Sequence, residues 1–127
     1  MKKIISFISF FCLTASVSCL DAQTINNTNW KTFFGDPFND TLTIHIHGDS
    51  SFVTNSKNEV LVRSSYTLSA DTITISDYGG GEYTCPDAKG KYKISLSGDS
   101  LIFILIEDPC DGRAQSLNGI KWIKASK

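Results

Sequence analysis

The sequence predicts an all-β fold, an antiparallel up-and-down barrel or strongly curled sheet of about eight strands. Three observations predict it. First, short runs alternating apolar and polar side chains meet the same kind of turn three times, at His47-Gly48-Asp49-Ser50, Ser69-Ala70-Asp71-Thr72 and Ser97-Gly98-Asp99-Ser100. Small residues and Asp tolerate hairpin-turn dihedrals, and β-branched or aromatic flanks supply the strands. Second, no segment sustains helical periodicity, and only 111–117 has room for a turn or two of helix. Third, strands counted along the chain fall near 29–34, 41–47, 51–54, 59–68, 72–77, 90–97, 100–107 and 119–124. Consecutive antiparallel strands must dispose of their edges, which closure into a barrel does; an open sandwich is the alternative.

The first 22 residues read as an export signal. Lys2 and Lys3 precede a mostly apolar run over 4–13 and small residues over 14–18, and the run is too short to span a bilayer. Two processing routes fit. Cleavage after Ala22 would free the chain; lipidation of Cys19, preceded by Ser16-Val17-Ser18, would anchor it to a membrane, although such signals usually carry Leu three residues before the Cys. Both routes make the protein extracytoplasmic, secreted or periplasmic in the first case and envelope-anchored in the second. Residues 23–28 then form a flexible linker and 29–127 one domain. Losing Lys2, Lys3 and Asp21 moves the formal charge from −1 to about −2. A nucleic-acid partner is not expected, because phosphate binding needs a concentrated basic surface.

Register follows from the turns. A two-residue turn at Gly98-Asp99 sets Tyr92 opposite Leu105, Ile94 opposite Phe103 and Leu96 opposite Leu101 on one face. The other face carries Lys91, Lys93 and Ser95 against Ile106, Ile104 and Ile102, the isoleucines covered by lysine stems, by the Trp122 segment or by a partner. A turn at Ala70-Asp71 pairs Leu68 with Ile73 and Tyr66 with Ile75, with Thr67 and Thr74 outside. In the first hairpin, a three-residue Gly48-Asp49-Ser50 loop pairs Ile46 with Phe52 and a two-residue turn pairs it with Ser51; burial favours the longer loop.

Cys12 lies in the signal and Cys19 is removed or lipidated, which leaves Cys85 and Cys110 as an even pair in an oxidising compartment. The register of the third hairpin puts Asp87 opposite Cys110, two residues from Cys85, so a disulfide would close that hairpin's open end. A loop of this size contributes about 3.5 kcal/mol in the chain-entropy model. A redox-active or metal-binding pair is the other reading, but no Cys-x-x-Cys and no further thiol accompany it.

Trp30 opening the first strand, the Cys85 loop, Gly90-Lys91-Tyr92, the Ser97-to-Leu101 hairpin, Asp108-Pro109-Cys110-Asp111-Gly112-Arg113 and the closing Gly119-Ile120-Lys121-Trp122 resemble small exported bacterial proteins of lipocalin-like, or calycin-like, type. The resemblance covers nearly all of the mature chain. It implies a small antiparallel barrel that binds an apolar ligand. It further implies that Arg113, near the last strand, packs over Trp30 or Trp122 through a cation-π contact and backbone hydrogen bonds and closes one end. The chain departs from the lipocalin signature in having Thr28, not Gly, two positions before Trp30, and it is shorter than a full lipocalin.

The remaining candidates divide similarly. Arg113 alternatively clamps a ligand carboxylate or phosphate. Asp108 and Asp111 read as turn and helix caps. His45 and His47 share a strand face and could chelate a metal, but that face opposes Leu42, Ile44 and Ile46, so solvent exposure and no metal site is the expectation. No nucleophile elbow, zinc-protease motif, phosphate loop or dinucleotide fingerprint occurs, which points to a non-enzyme without cofactor. The leading expectation is a barrel holding a small apolar or amphipathic ligand against Tyr66, Ile75, Tyr92, Ile94, Phe103 and Leu105. The alternative is a solid-packed interaction or inhibitor module that uses the loop 79–87 and Ile102, Ile104 and Ile106.

Overall fold

The computed structural model describes residues 25–126 and contains eight strands: β1 (Thr28–Phe34), β2 (Asp40–His47), β3 (Ser50–Thr54), β4 (Val60–Ser69), β5 (Thr72–Gly80), β6 (Lys89–Ser97), β7 (Ser100–Glu107) and β8 (Lys121–Ala125). Each strand pairs antiparallel with the next, and β8 returns to pair with β1, closing the barrel. One short helix, α1 (Asp111–Leu117), interrupts the path from β7 to β8. The expected export signal, Cys12 and Cys19 lie outside the described residues. Among the described residues, no helix is long and apolar enough to cross a membrane.

The two ends of the barrel differ because their connections differ. At one end, β2–β3, β4–β5 and β6–β7 are joined by two-residue turns, each with Asp second and with the first residue at positive φ: Gly48 at 61°, Ala70 at 55° and Gly98 at 58°. Each turn is also tied through its Asp carbonyl to the next strand beyond its own hairpin. Asp49 accepts from the Tyr66 N–H (2.9 Å), Asp71 from Ile94 (2.7 Å) and Asp99 from Lys124 (2.8 Å). Paired backbone groups of this kind leave few orphaned donors where strands end. At the other end the connections are longer, spanning 35–39, 55–59, 81–88 and 108–120.

Residues 25–27 close the short-turn end. Ile25 is 1% exposed within the core, and the Asn26 side chain accepts the Gly48 N–H at 2.6 Å. The Thr28 hydroxyl donates to the Ile25 carbonyl and accepts from the Trp30 indole N–H at 2.8 Å. From Ile25 onward the expected linker therefore belongs to the fold, because an apolar side chain there caps the barrel floor.

The second and third hairpins adopt the expected registers, Tyr66↔Ile75 and Leu68↔Ile73 in one and Tyr92↔Leu105, Ile94↔Phe103 and Leu96↔Leu101 in the other. The first does not. Ile46 pairs with Ser51 across a two-residue turn, and Phe52 pairs with His45 on the outer face. Phe52 is instead half-buried on the outside of the barrel: the His45 ring stacks on it at 4.4 Å, and the Arg63 guanidinium lies 5.9 Å from its centroid. A second correction concerns Lys91. A register shift between Lys91 and Tyr92 places Lys91 opposite Glu107 rather than Ile106, and the two make an exposed ion pair at 3.5 Å. Nor does the Trp122 segment cover the outer isoleucines, since Trp122 points into the core.

Candidate ligand cavity and its clasp

The inward residues of β2, β4, β5 and β7 are held on one face by strand alternation, and they do not fill the barrel. A cavity of about 450 Å³ reaches inward from the long-loop end, its lining predominantly apolar and including Ile44, Tyr66, Ile73, Ile75, Phe103 and Trp122. A succession of aromatic rings runs along it from rim to depth: Tyr83 to Phe38 at 5.1 Å, Phe38 to Phe34 at 6.2 Å, and Phe34 to Trp122 at 5.7 Å. Helix α1 covers part of the mouth and presents Arg113 and Leu117 to the lining.

The six residues expected to line a ligand site divide three ways. Tyr66, Ile75 and Phe103 line the cavity. Tyr92 and Ile94 are buried but belong to the wall behind it; the Tyr92 ring packs edge-on against Phe103 at 6.2 Å. Leu105 is 37% exposed and is not in the lining. β8 pairs with β7 only over Ser100–Ile102, so Leu105 lies beyond the point where the wall is double-sided. Sequence reasoning missed Ile73 and the β2 residues Leu42, Ile44 and Ile46, although their period-two spacing carried the needed signal. Phe34 and Phe38 sit at a strand end and in a loop, where that period says nothing.

At the mouth, a buried ionic cluster joins four segments. Arg113 meets Asp108 in a two-pronged pair, Nε to Oδ2 at 2.7 Å and Nη2 to Oδ1 at 2.8 Å, and Nη2 also donates to the Ala88 carbonyl at 2.7 Å. Its Nη1 lies 3.2 Å from Asp77 Oδ1. Side chains of Arg113, Asp77 and Asp108 are 7%, 2% and 0% exposed. Asp77 also accepts from the Ser64 hydroxyl (2.7 Å) and the Cys85 N–H (2.9 Å). Asp108 accepts from the Cys110 N–H (2.8 Å) and from the Tyr92 hydroxyl.

Cys85 and Cys110 form the disulfide, Cα–Cα 6.0 Å, so each bridged cysteine gives its N–H to one of the two carboxylates that bracket Arg113. Disulfide and ion cluster form one clasp between the 81–88 loop and the start of α1. The expected cation-π contact of Arg113 with Trp30 or Trp122 is replaced by these carboxylates, while the expected backbone hydrogen bond is made, to Ala88. Bidentate charge-assisted bonds satisfy a buried guanidinium better than an aromatic face does. Trp30 instead anchors the floor, and the buried Trp122 N–H has no acceptor among the described residues.

The electrostatics follow from this geometry. Burial would raise the Asp108 carboxyl, but the Arg113 hydrogen bonds, with those of Tyr92 and Cys110, outweigh it and hold Asp108 below the ordinary carboxylate value. Burial would likewise lower Arg113, and its two carboxylates raise it instead. Burial, then the hydrogen bond to Asp108 and its charge, push the Tyr92 phenol strongly upward, so it acts as a donor.

His45 contacts side-chain oxygens through both ring nitrogens, Nδ1 to Asn29 at 3.1 Å and Nε2 to Thr54 at 2.9 Å. His45 is therefore half-buried rather than pointing freely to solvent. His47 is exposed and meets Asn27 at 3.0 Å. Among the described residues, no three His, Cys, Asp or Glu side chains converge as a metal site would require. On the outer surface, Ile104 and Ile106 are 45% and 54% exposed.

The fold and its site define a small closed antiparallel β-barrel with an internal apolar cavity. Comparisons with family models, curated proteins and solved structures return no match for this chain.

Proposed function

We propose that the chain is an exported, lipocalin-like binding domain that carries a small apolar or amphipathic ligand in its interior and performs no catalysis. The carrying observation is the cavity of about 450 Å³ with its mostly apolar lining, within the size range of sites that enclose a small molecule. The leader pattern over 1–22 and the pairing of the two mature cysteines support an extracytoplasmic setting. Titration with the neutral probe N-phenyl-1-naphthylamine tests the reading. Wild-type protein is expected to enhance probe fluorescence saturably. Ile75→Trp, which fills the cavity from β5, is expected to lose that response while keeping a cooperative melt. No enhancement by wild type, or equal enhancement by the folded variant, overturns the proposal.

The second reading, a surface interaction or inhibitor module, is supported by the exposure of Ile104 and Ile106 on β7. Its solid-packed interior is disfavoured by the same cavity.

A further inference from the structure

A ligand in this barrel must bring its own charge to terms with the charges already there. Three ionisable side chains other than tyrosines line the cavity: Asp77, Glu82 and Arg113. The single cation is already paired: Arg113 is hydrogen-bonded by Asp108, and its Nη1, which makes no hydrogen bond, lies 3.2 Å from Asp77, so the buried cluster carries one more negative than positive charge. An entering carboxylate or phosphate would find no free cation among the lining residues and would face uncompensated negative charge at low dielectric.

The mouth continues the same sign. A groove of about 520 Å³ adjoins the cavity and shares Phe38, Leu61, Glu82 and Tyr83 with its lining. Three carboxylates line this groove, Asp40, Glu59 and Glu82, and no lysine or arginine does. Two of them are occupied locally. Asp40 accepts from the Thr41 N–H (2.7 Å) and the Ser56 N–H (3.2 Å) and feels the charge of Lys57; Glu59 accepts from the Asn55 amide at 3.3 Å. Glu82 makes no hydrogen bond or ion pair among the described residues, and its chain neighbour Tyr83 packs on Phe38 at the rim. A carboxylate with no partner among the described residues, sharing the opening of an apolar cavity with Phe38 and Tyr83, is an environment suited to an organic cation.

Resting on the binding reading above, we propose that the occupant is an amphiphile with a cationic head, an organic amine or quaternary ammonium. Its apolar body lies along the Phe38–Phe34–Trp122 succession and its head lies at the mouth between Glu82, Phe38 and Tyr83.

Three probes that share one tail test this: dodecyltrimethylammonium, dodecanol and dodecanoate, titrated below micelle-forming concentrations into the disulfide-intact protein and followed by calorimetry. The ammonium is expected to bind about ten-fold more tightly than the carboxylate, with the alcohol between them. Glu82→Lys, an exposed substitution, is expected to erase or invert that ratio. Equal or tighter binding of dodecanoate, or a ratio unmoved by Glu82→Lys, overturns the head-group assignment and leaves the cavity reading standing. Failure of all three probes to bind overturns both.

Discussion

The carboxylate of Asp108 occupies the space that a side chain on Gly90 would fill. A Cβ built on Gly90 would lie 2.7 Å from Asp108 Cγ and 3.0 Å from a Tyr92 ring carbon. The strand β6 can accept the clasp only because that position carries no side chain. Gly90→Ala should therefore displace Asp108 from Arg113 and cost about 1–3 kcal/mol, as overpacking and a weakened buried pair do. Thermal unfolding should show a fall in Tm of at least 5 °C. Gly112→Ala in α1, where an added Cβ meets nothing within 4 Å, should be neutral or slightly stabilising.

The three short turns offer a matched pair of substitutions. Ala70 holds φ at 55° where its two counterparts are glycine, and Gly98 holds 58° with open space around its Cβ position. The left-handed conformation costs a non-glycine residue about 1–2 kcal/mol, of which glycine's greater freedom when unfolded returns part. Ala70→Gly should raise stability by about 0.5–1 kcal/mol and Gly98→Ala should lower it by as much, read as opposite shifts in a urea midpoint at constant slope.

These turns also mark how much of the fold could be read from residues alone. In the second hairpin, and in the third from Tyr92 to Leu105, the turn chemistry and the strand alternation agree, so the register follows from local pattern. In the first they conflict, because Phe52 looks like a core residue and is instead covered from outside by His45 and Arg63. The clasp was less legible still. Asp77, Asp108 and Arg113 come from within strand β5, a turn and a helix, and no spacing along the chain signals that barrel closure brings them together. The resemblance places Arg113 against Trp30 or Trp122, yet its partners are set by the need of a buried guanidinium for carboxylates. Glu82 and Tyr83 lie in an irregular loop, where alternation carries no information about which side chains face the cavity.

His45 gives the barrel a pH dependence above the range where carboxylates titrate. Burial first, and the nearby charge of His47 second, hold its imidazole below the ordinary value of 6.5. A histidine with a lowered folded value contributes stability while neutral and loses it as pH falls from the unfolded value through the folded one. The Tm should fall by a few degrees between pH 7.5 and 5.5. In His45→Gln, which cannot protonate, that part of the slope should vanish; an unchanged slope would assign the effect elsewhere.

At lower pH the sign is the same for a different reason. Asp108 sits below its unfolded value because Arg113, Tyr92 and Cys110 bond its charged form, so its contribution is present above about pH 4 and disappears as pH falls through the folded value. Acid titration of Asp108→Asn, followed by circular dichroism, should show a lower plateau near neutral pH and a shallower loss below pH 4 than wild type.

Disulfide and ion cluster should behave energetically as one unit. Replacing both Cys85 and Cys110 by Ser removes a constraint of about 3.5 kcal/mol, and Arg113→Met strands two buried carboxylates at about 3–5 kcal/mol. Together these would consume most of the 5–15 kcal/mol typical of a domain if they added. They should not add. Without the bridge, the 81–88 loop and the segment before α1 separate more easily, water reaches Asp77 and Asp108, and the penalty for losing Arg113 shrinks. A double-mutant cycle in urea should give a coupling of at least about 1 kcal/mol between them. Coupling within error of zero would mean that the cysteine N–H bonds to the two carboxylates transmit nothing between the bridge and the arginine.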